Sequence, residues 1–525
     1  MRRALCVTIA IVLSATAVAA SEPVAPWERA DWPIPETELD RHVRSALAAK
    51  GIEPALACSD EVFLRRAYID LTGRLPELET TRLFLGSEAP EKRAELVDAL
   101  WGNEHFLDYW ALKWCDALRV KAEFPINLWP NGVQIYHRWV RDAMHASMPY
   151  DEFARALLTS SGSNFRVPPV NFYRAMQGHA PETIASAVAL TFMGSRYDQW
   201  PQEQQEEMTK FFSRVAFKGT AEWKEEIVHL DPAATEPLDA VLPDGTQVHI
   251  EAGEDPRAVF ADWLVAPDNE WFARSVVNRI WYWLVGRGII HEPDDLRPDF
   301  VQPGNPPANP ELLAYLEREL IDSGFDLRHI YRLILNSRTW QQSSIARSDD
   351  PQAGTLLACY PVRRLDAEVL IDALCWFAGD GESYSSPIPE PFTWVPEYHP
   401  TIALADGSIG SQFLEMFGRP SRDTGLLSER NNEPTQSQRL YLLNSSDVQR
   451  RIAQSPRLRE ILTSTGWNAR MTVAELYLTL LSREPTEDEM AVALEYCAAD
   501  ERKLYDAAVD LSWALINSKE FLYRH

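Results

Sequence analysis

Three polar clusters hold the residue types in this 525-residue chain that could do chemistry. Asn278 and Arg279 interrupt the apolar run VVNRIWYWL. Arg363, Arg364, Asp366 and Glu368 stand together in RRLDAE, and Arg419, Arg422, Glu429 and Arg430 fall within FGRPSRDTGLLSERNNEPTQSQ. A guanidinium presents its donors as a planar fork that matches the two oxygens of a carboxylate, so arginines from separate segments can converge on an anionic ligand or an acidic partner surface. The same groups can instead pair with one another, as an ionic network that holds an irregular loop against helices. An Asn-Arg pair that faces a core needs partners, because a buried unpaired charge is costly.

A second kind of chemistry is open to HEPDDLRPDFVQPGNPPANPE, which carries Asp294, Asp295, Asp299, Asn305 and Asn309. Oxygen-rich loops bind Ca²⁺, yet this spacing matches no established loop, and Asp, Asn and Pro are also turn formers. Asp294 with Asp295, or Glu429 with another acid, could form the carboxylate pair of a glycosidase; with 77 acidic residues such pairs also arise by chance. The sequence has no GxSxG elbow, HExxH, P-loop, GxGxxG or Cys-x-x-Cys, and no two histidines lie four apart. Nucleophile-elbow, helix-borne zinc and dinucleotide sites are therefore unsupported.

Helices position most of these groups. Ser59 caps DEVFLRRAYIDLT and Gly73 stops it; Pro90 and Gly102 bracket a second helix. HFLDYWALKWCDALRV places Phe106, Trp110, Trp114 and Leu118 on one apolar stripe, with Asp116 and Arg119 spaced to pair beside it. Helical patterning runs from about Glu36 to Phe217. AVLPDGTQVHIEA then reads as a short β-hairpin about Pro-Asp-Gly, and helices resume at DPRAVFADWL. Residues 378–436 are rich in Gly, Pro, Ser and Asn and read as irregular. The expected fold is mainly α: a Pro-rich lead-in over 21–35, a first helical domain over 36–218, a small β insertion over 219–254 and a second helical domain over 255–525.

MRRALCVTIAIVLSATAVAA has the basic, apolar and small-residue regions of a secretory signal peptide over residues 1–20. Its removal leaves 49 basic residues against 77 acidic ones, a formal charge of −28. So acidic a chain disfavours nucleic acid and anionic membranes, which need clustered Lys and Arg. No later stretch is long and apolar enough for a transmembrane helix. The five remaining cysteines, Cys58, Cys115, Cys359, Cys375 and Cys497, are odd in number and widely spaced, which suits buried thiols with at most one or two bridges.

DEVFLRRAYIDLTGRLPE, KRAELVDALW and YWALKWCDALR resemble the first of two domains of unknown function paired in planctomycete exported proteins, catalogued as fifteen-forty-nine and associated with cytochromes. NRIWYWLVGRGIIHEPDDLRP, RRLDAEVLIDAL, SERNNEPTQSQRLYLLN and WALINSKEFLYRH resemble the second, fifteen-fifty-three. The resemblance implies a haem c attachment loop after Phe192-Met193-Gly194, with Cys-x-x-Cys-His ahead of Asp-x-Trp. Here Gly194, Ser195, Arg196 and Tyr197 lead directly to Asp198 and Trp200, without the cysteines and histidine. Leu426 and Leu427 stand where further family cysteines precede Glu429-Arg430. Covalent haem needs two thiols, so a haem-free member without cofactor is expected. The signal-peptide reading implies export to the periplasm or the cell surface, and the resemblance implies a second exported protein, of a sulfatase-like family, as partner. The expected function is a non-catalytic envelope scaffold; the alternative is an enzyme or binding protein acting on polysaccharides or sulfated glycans.

Overall fold

The computed structural model describes residues 22–498 and 503–525, so the signal-peptide reading of residues 1–20 lies outside the described residues. The protein is mainly α-helical, with a few short strands. Helix ends fall where the capping residues place them. Ser59 accepts from the Val62 amide at the start of Asp60–Thr72, and Gly73 closes that helix at φ 63°. Thr37 and Asp40 form a reciprocal capping box at the start of Glu38–Lys50. The irregular region begins after the Ala367–Ala378 helix and lasts until the Gln436–Asn444 helix; within it lie one helix, Gln412–Met416, and two single 3₁₀ turns.

Strands Val215–Gly219 and Glu226–Leu230 pair antiparallel, and Gly162–Ser163 joins the outer edge of the latter. Leu238–Val241 and Gln247–Ile250 pair about the Pro-Asp-Gly turn. The strand signal therefore extends into residues that helical patterning covers up to Phe217. Near the C-terminus, Tyr523–Arg524 pairs with Arg363–Arg364, which brings the chain end against the second polar cluster.

Buried apolar side chains from Leu39 to Phe521 form one continuous cluster. Its centre is aromatic. The Phe106, Trp110, Trp114 stripe of the Glu104–Ala117 helix packs on Trp283 and Tyr331 from the later half, with Trp110–Tyr331 ring centroids 4.5 Å apart and Trp114–Trp283 5.2 Å apart. Such edge-on pairs add about 0.5–1.5 kcal/mol each beyond the area they bury. The expected Asp116–Arg119 pair does not form. The helix ends at Ala117 and Arg119 turns to φ 56°, so the two side chains no longer share a face. Arg119 donates instead to the carbonyls of Ala175 and Ala117. All five described cysteines are free thiols. Among the described residues, no helix is long and apolar enough to cross a membrane.

Candidate functional site

The polar clusters separate into groups that cap helices and groups that line a cavity. Arg279 is a capping group: it donates to the Thr191 carbonyl at 2.7 Å and the Leu190 carbonyl at 3.0 Å, at the end of the Pro181–Met193 helix. The last carbonyls of a helix have no partner within it, and their partial negative charge suits a cation. Arg363 does the same for Trp283 and Leu284 at the end of Phe272–Val285. Arg65 donates to Leu480 near the end of Ala469–Leu481. Asn278, fully buried, exchanges two hydrogen bonds with the backbone of Ile290, which fixes the chain beyond its helix.

Asp366 is the centre of the second group. Its carboxylate accepts from Lys113 Nζ, Tyr109 Oη and Asn432 Nδ2, each at 2.7 Å, and from Arg524 Nη2 at 3.1 Å. Burial raises its pKa, but Lys113, Arg524 and Arg430 outweigh that and hold it well below the carboxylate range. Arg430 donates to Glu368 and Asp116, with its shortest contacts at 2.7 Å. Arg422 donates to Asp116 at 2.8 Å and to the Val120 and Ala405 carbonyls. Arg419 holds the Ile409 and Asp406 carbonyls and lies 3.7 Å from Glu368. The network thus joins the Glu104–Ala117 helix to residues 363–368 and 419–432.

A cavity of ≈ 420 Å³ opens beside this network. Of the residues singled out in the sequence, Arg363, Arg364, Asp366 and Arg430 line it, whereas Asn278, Arg279, Arg419 and Glu429 do not. Glu429 faces its own loop, where it accepts from the amides of Asp423 and Thr424. Lys113, Asp116, Tyr282 and Arg524 line the cavity without having been singled out as site residues. A signal for two of them was present: Tyr109, Lys113 and Asp116 recur at helical spacing beside the aromatic stripe. Arg524 had none, since strand pairing brings it there.

The oxygen-rich segment gathers no site. Asp294 is buried, accepts from the Leu427 amide at 2.6 Å and lies 3.7 Å from Arg279; burial, foremost, raises its pKa. Asp295 is chelated by Arg297, while Asp299 is exposed. Among the described residues, no group of three His, Cys, Asp or Glu side chains is arranged to hold a metal ion.

The Gly194–Trp200 connection is filled by its own side chains. Gly194, at φ 60°, ends the Pro181–Met193 helix, and its carbonyl accepts from Leu296. Ser195 Oγ accepts from Trp200 Nε1 at 2.9 Å, Tyr197 donates to the Gln205 carbonyl, and Trp200 packs edge-on against Phe300. Arg196 is half-buried and Asp198 exposed.

Two family models match the chain. Residues 38–217 match PSCyt2, a protein of unknown function (DUF1549), and residues 256–497 match PSD1, a protein of unknown function (DUF1553). The chain carries these two domains as a pair. Nothing among curated proteins matches it, and no solved structure does. Set against these bounds, Lys113 and Asp116 come from the DUF1549 region, residues 362–366 and 420–434 from the DUF1553 region, and Tyr523 and Arg524 from beyond it. The cavity lies where all three meet, and the aromatic stripe of the DUF1549 region packs against the DUF1553 region beside it.

Proposed function

We propose that this DUF1549–DUF1553 protein is an exported, non-catalytic helical binding protein of the cell envelope. In this reading it is a haem-free scaffold that engages a second exported protein, of a sulfatase-like family. The observation that carries the non-catalytic reading is the saturation of the two inner carboxylates of the cavity wall; the third wall acid, Glu433, is exposed at its mouth. Asp366 and Asp116 each take two charged donors, and these cations lower both carboxyl pKa values. A glycosidase acid must hold a proton near neutral pH, and neither group does. Their bonds tie the DUF1549 region to the DUF1553 region, which is what a scaffold requires.

Action on or binding of polysaccharides or sulfated glycans is the second reading. Exposed aromatic faces support it, Trp223 at 71% and Trp394 at 69% exposure. Affinity capture from the native envelope, with mass spectrometry, tests the first reading. A reproducible exported partner is expected; failure to co-purify one in repeated captures refutes it. Turnover of a glycan panel refutes the non-catalytic assignment, and a stoichiometric Soret band refutes the haem-free one.

A further inference from the structure

We propose that the cavity between the two family regions is a binding site for a small oxyanion, a carboxylate or sulfate group borne on a polar organic body. The proposal deepens the binding-protein reading and rests on it in treating the cavity as non-catalytic. Five cations stand on the wall, Lys113, Arg363, Arg364, Arg430 and Arg524, against three acids, Asp116, Asp366 and Glu433. The charges behind the wall, Arg419 and Arg422 against Asp70 and Glu368, leave the same excess of two positive charges. The whole chain carries −26, so the cavity inverts the sign of the protein around it.

Arg364 concentrates the excess. It is 4% exposed and donates to the carbonyls of Asn432, Phe417 and Asn431 at 2.7–3.1 Å. Among the described residues no carboxylate lies within ion-pair distance of it, and its Nη1 has no hydrogen-bond partner. Carbonyl dipoles solvate such a guanidinium without neutralising it, and the nearest carboxylates, Asp366 and Glu368, act on it only across a gap, which compensates a buried cation less than direct contact would. Lys113 reports the same field. Burial first, then Arg430 and Arg524, draws its pKa down to about 8, although Asp366 accepts from it. An anion entering this cavity relieves both groups. Tyr282 also lines the cavity, and the exposed Asn431, whose Oδ1 accepts from the Glu433 amide, offers the N–H groups of its side-chain amide.

Calorimetric titration of the purified full chain with sodium acetate, sodium sulfate and sodium glucuronate, at constant ionic strength, tests the site. Acetate and sulfate separate planar from tetrahedral oxyanions, and glucuronate over acetate reads the contribution of the organic body. Saturable binding of at least one anion at a single site is expected. Val362 and Glu433 are exposed residues on the cavity wall, so changing them leaves the core intact. Val362→Glu should weaken binding and Glu433→Gln should strengthen it, each by roughly threefold to tenfold for one unit charge at the mouth of a partly shielded site. Absence of saturable binding by all three anions overturns the site, and so does binding that both variants leave unchanged. If the titrations fail while the wild-type chain still captures an envelope partner, the oxyanion site falls and the binding-protein reading stands. Saturable anion binding by a chain that captures no partner has the opposite meaning.

Discussion

Replacing Asp366 by asparagine removes one charge and almost no volume, which makes it a clean probe of the network joining the two family regions. Four donors converge on this carboxylate, two of them cationic, and its side chain is buried. The amide oxygen of Asp366→Asn can still accept from Lys113, Tyr109 and Arg524, while the Asn432 amide can flip to accept from the new N–H. What is lost is the compensation of Lys113 and Arg524. Removing one partner of a buried ion pair costs about 3–5 kcal/mol, and the retained hydrogen bonds place this variant toward the lower figure. Guanidinium denaturation followed by circular dichroism should show that loss at pH 7. The folded-state pKa of Asp366 lies well below its unfolded value of 3.8, so its contribution is present above pH 4 and fades as pH falls through the folded pKa. The deficit should therefore hold from pH 7 to pH 5 and shrink in stronger acid. Adding Lys113→Met to Asp366→Asn should cost less than the sum of the single changes, because the lysine no longer needs its counter-ion. A loss below about 1 kcal/mol at pH 7, or strict additivity in the double variant, refutes the account of Asp366 as a counter-ion where the two family regions meet.

Three further outcomes follow from the same geometry. Arg279→Ala exposes the Leu190 and Thr191 carbonyls to a dry environment and strips Asp294 of its cation, so stability should fall by at least about 2 kcal/mol in denaturant titration. Gly286→Ala is strained twice, since the glycine sits at φ 87° and a Cβ would lie 2.8 Å from Arg363 Cδ; a loss of about 2 kcal/mol is expected, and a neutral result would refute the strain argument, because movement of Arg363 relieves only the clash and not the positive φ. His137 is half-buried overall, yet its Nε2 is sealed from water, and burial foremost, with Arg422 and Arg141 nearby, lowers its pKa to about 3. An unfolded chain takes up that proton first, so stability should decline as pH falls from 6.5 toward 3, and His137→Gln should flatten this part of the pH profile measured by thermal melting.

Much of the helical frame was legible because its signals are local. A cap such as Ser59 acts on an amide three residues away, Gly73 supplies the left-handed turn itself, and the Phe106–Trp110–Trp114 stripe follows from 3.6 residues per turn. The Asp116–Arg119 expectation failed for a local reason as well, because the helix ended one residue after Asp116. Long-range partners left no such trace. Nothing near Arg430 in the sequence marks Asp116, 314 positions away, as its counter-ion.

The sequence by itself marked most of the helices, the paired domains of unknown function and four of the charged residues on the cavity wall, Arg363, Arg364, Asp366 and Arg430, but not Lys113 or Arg524. Tertiary structure decided what each of those residues does. Arg279 and Arg364 look alike in the chain, each a basic residue against an apolar run. Arg279 meets the carbonyl end of a helix with Asp294 nearby, while Arg364 meets three loop carbonyls and no carboxylate among the described residues, on the wall of a cavity. A guanidinium's role depends on the charge and solvent within a few ångströms of it, and in a folded chain those neighbours come from segments hundreds of residues apart.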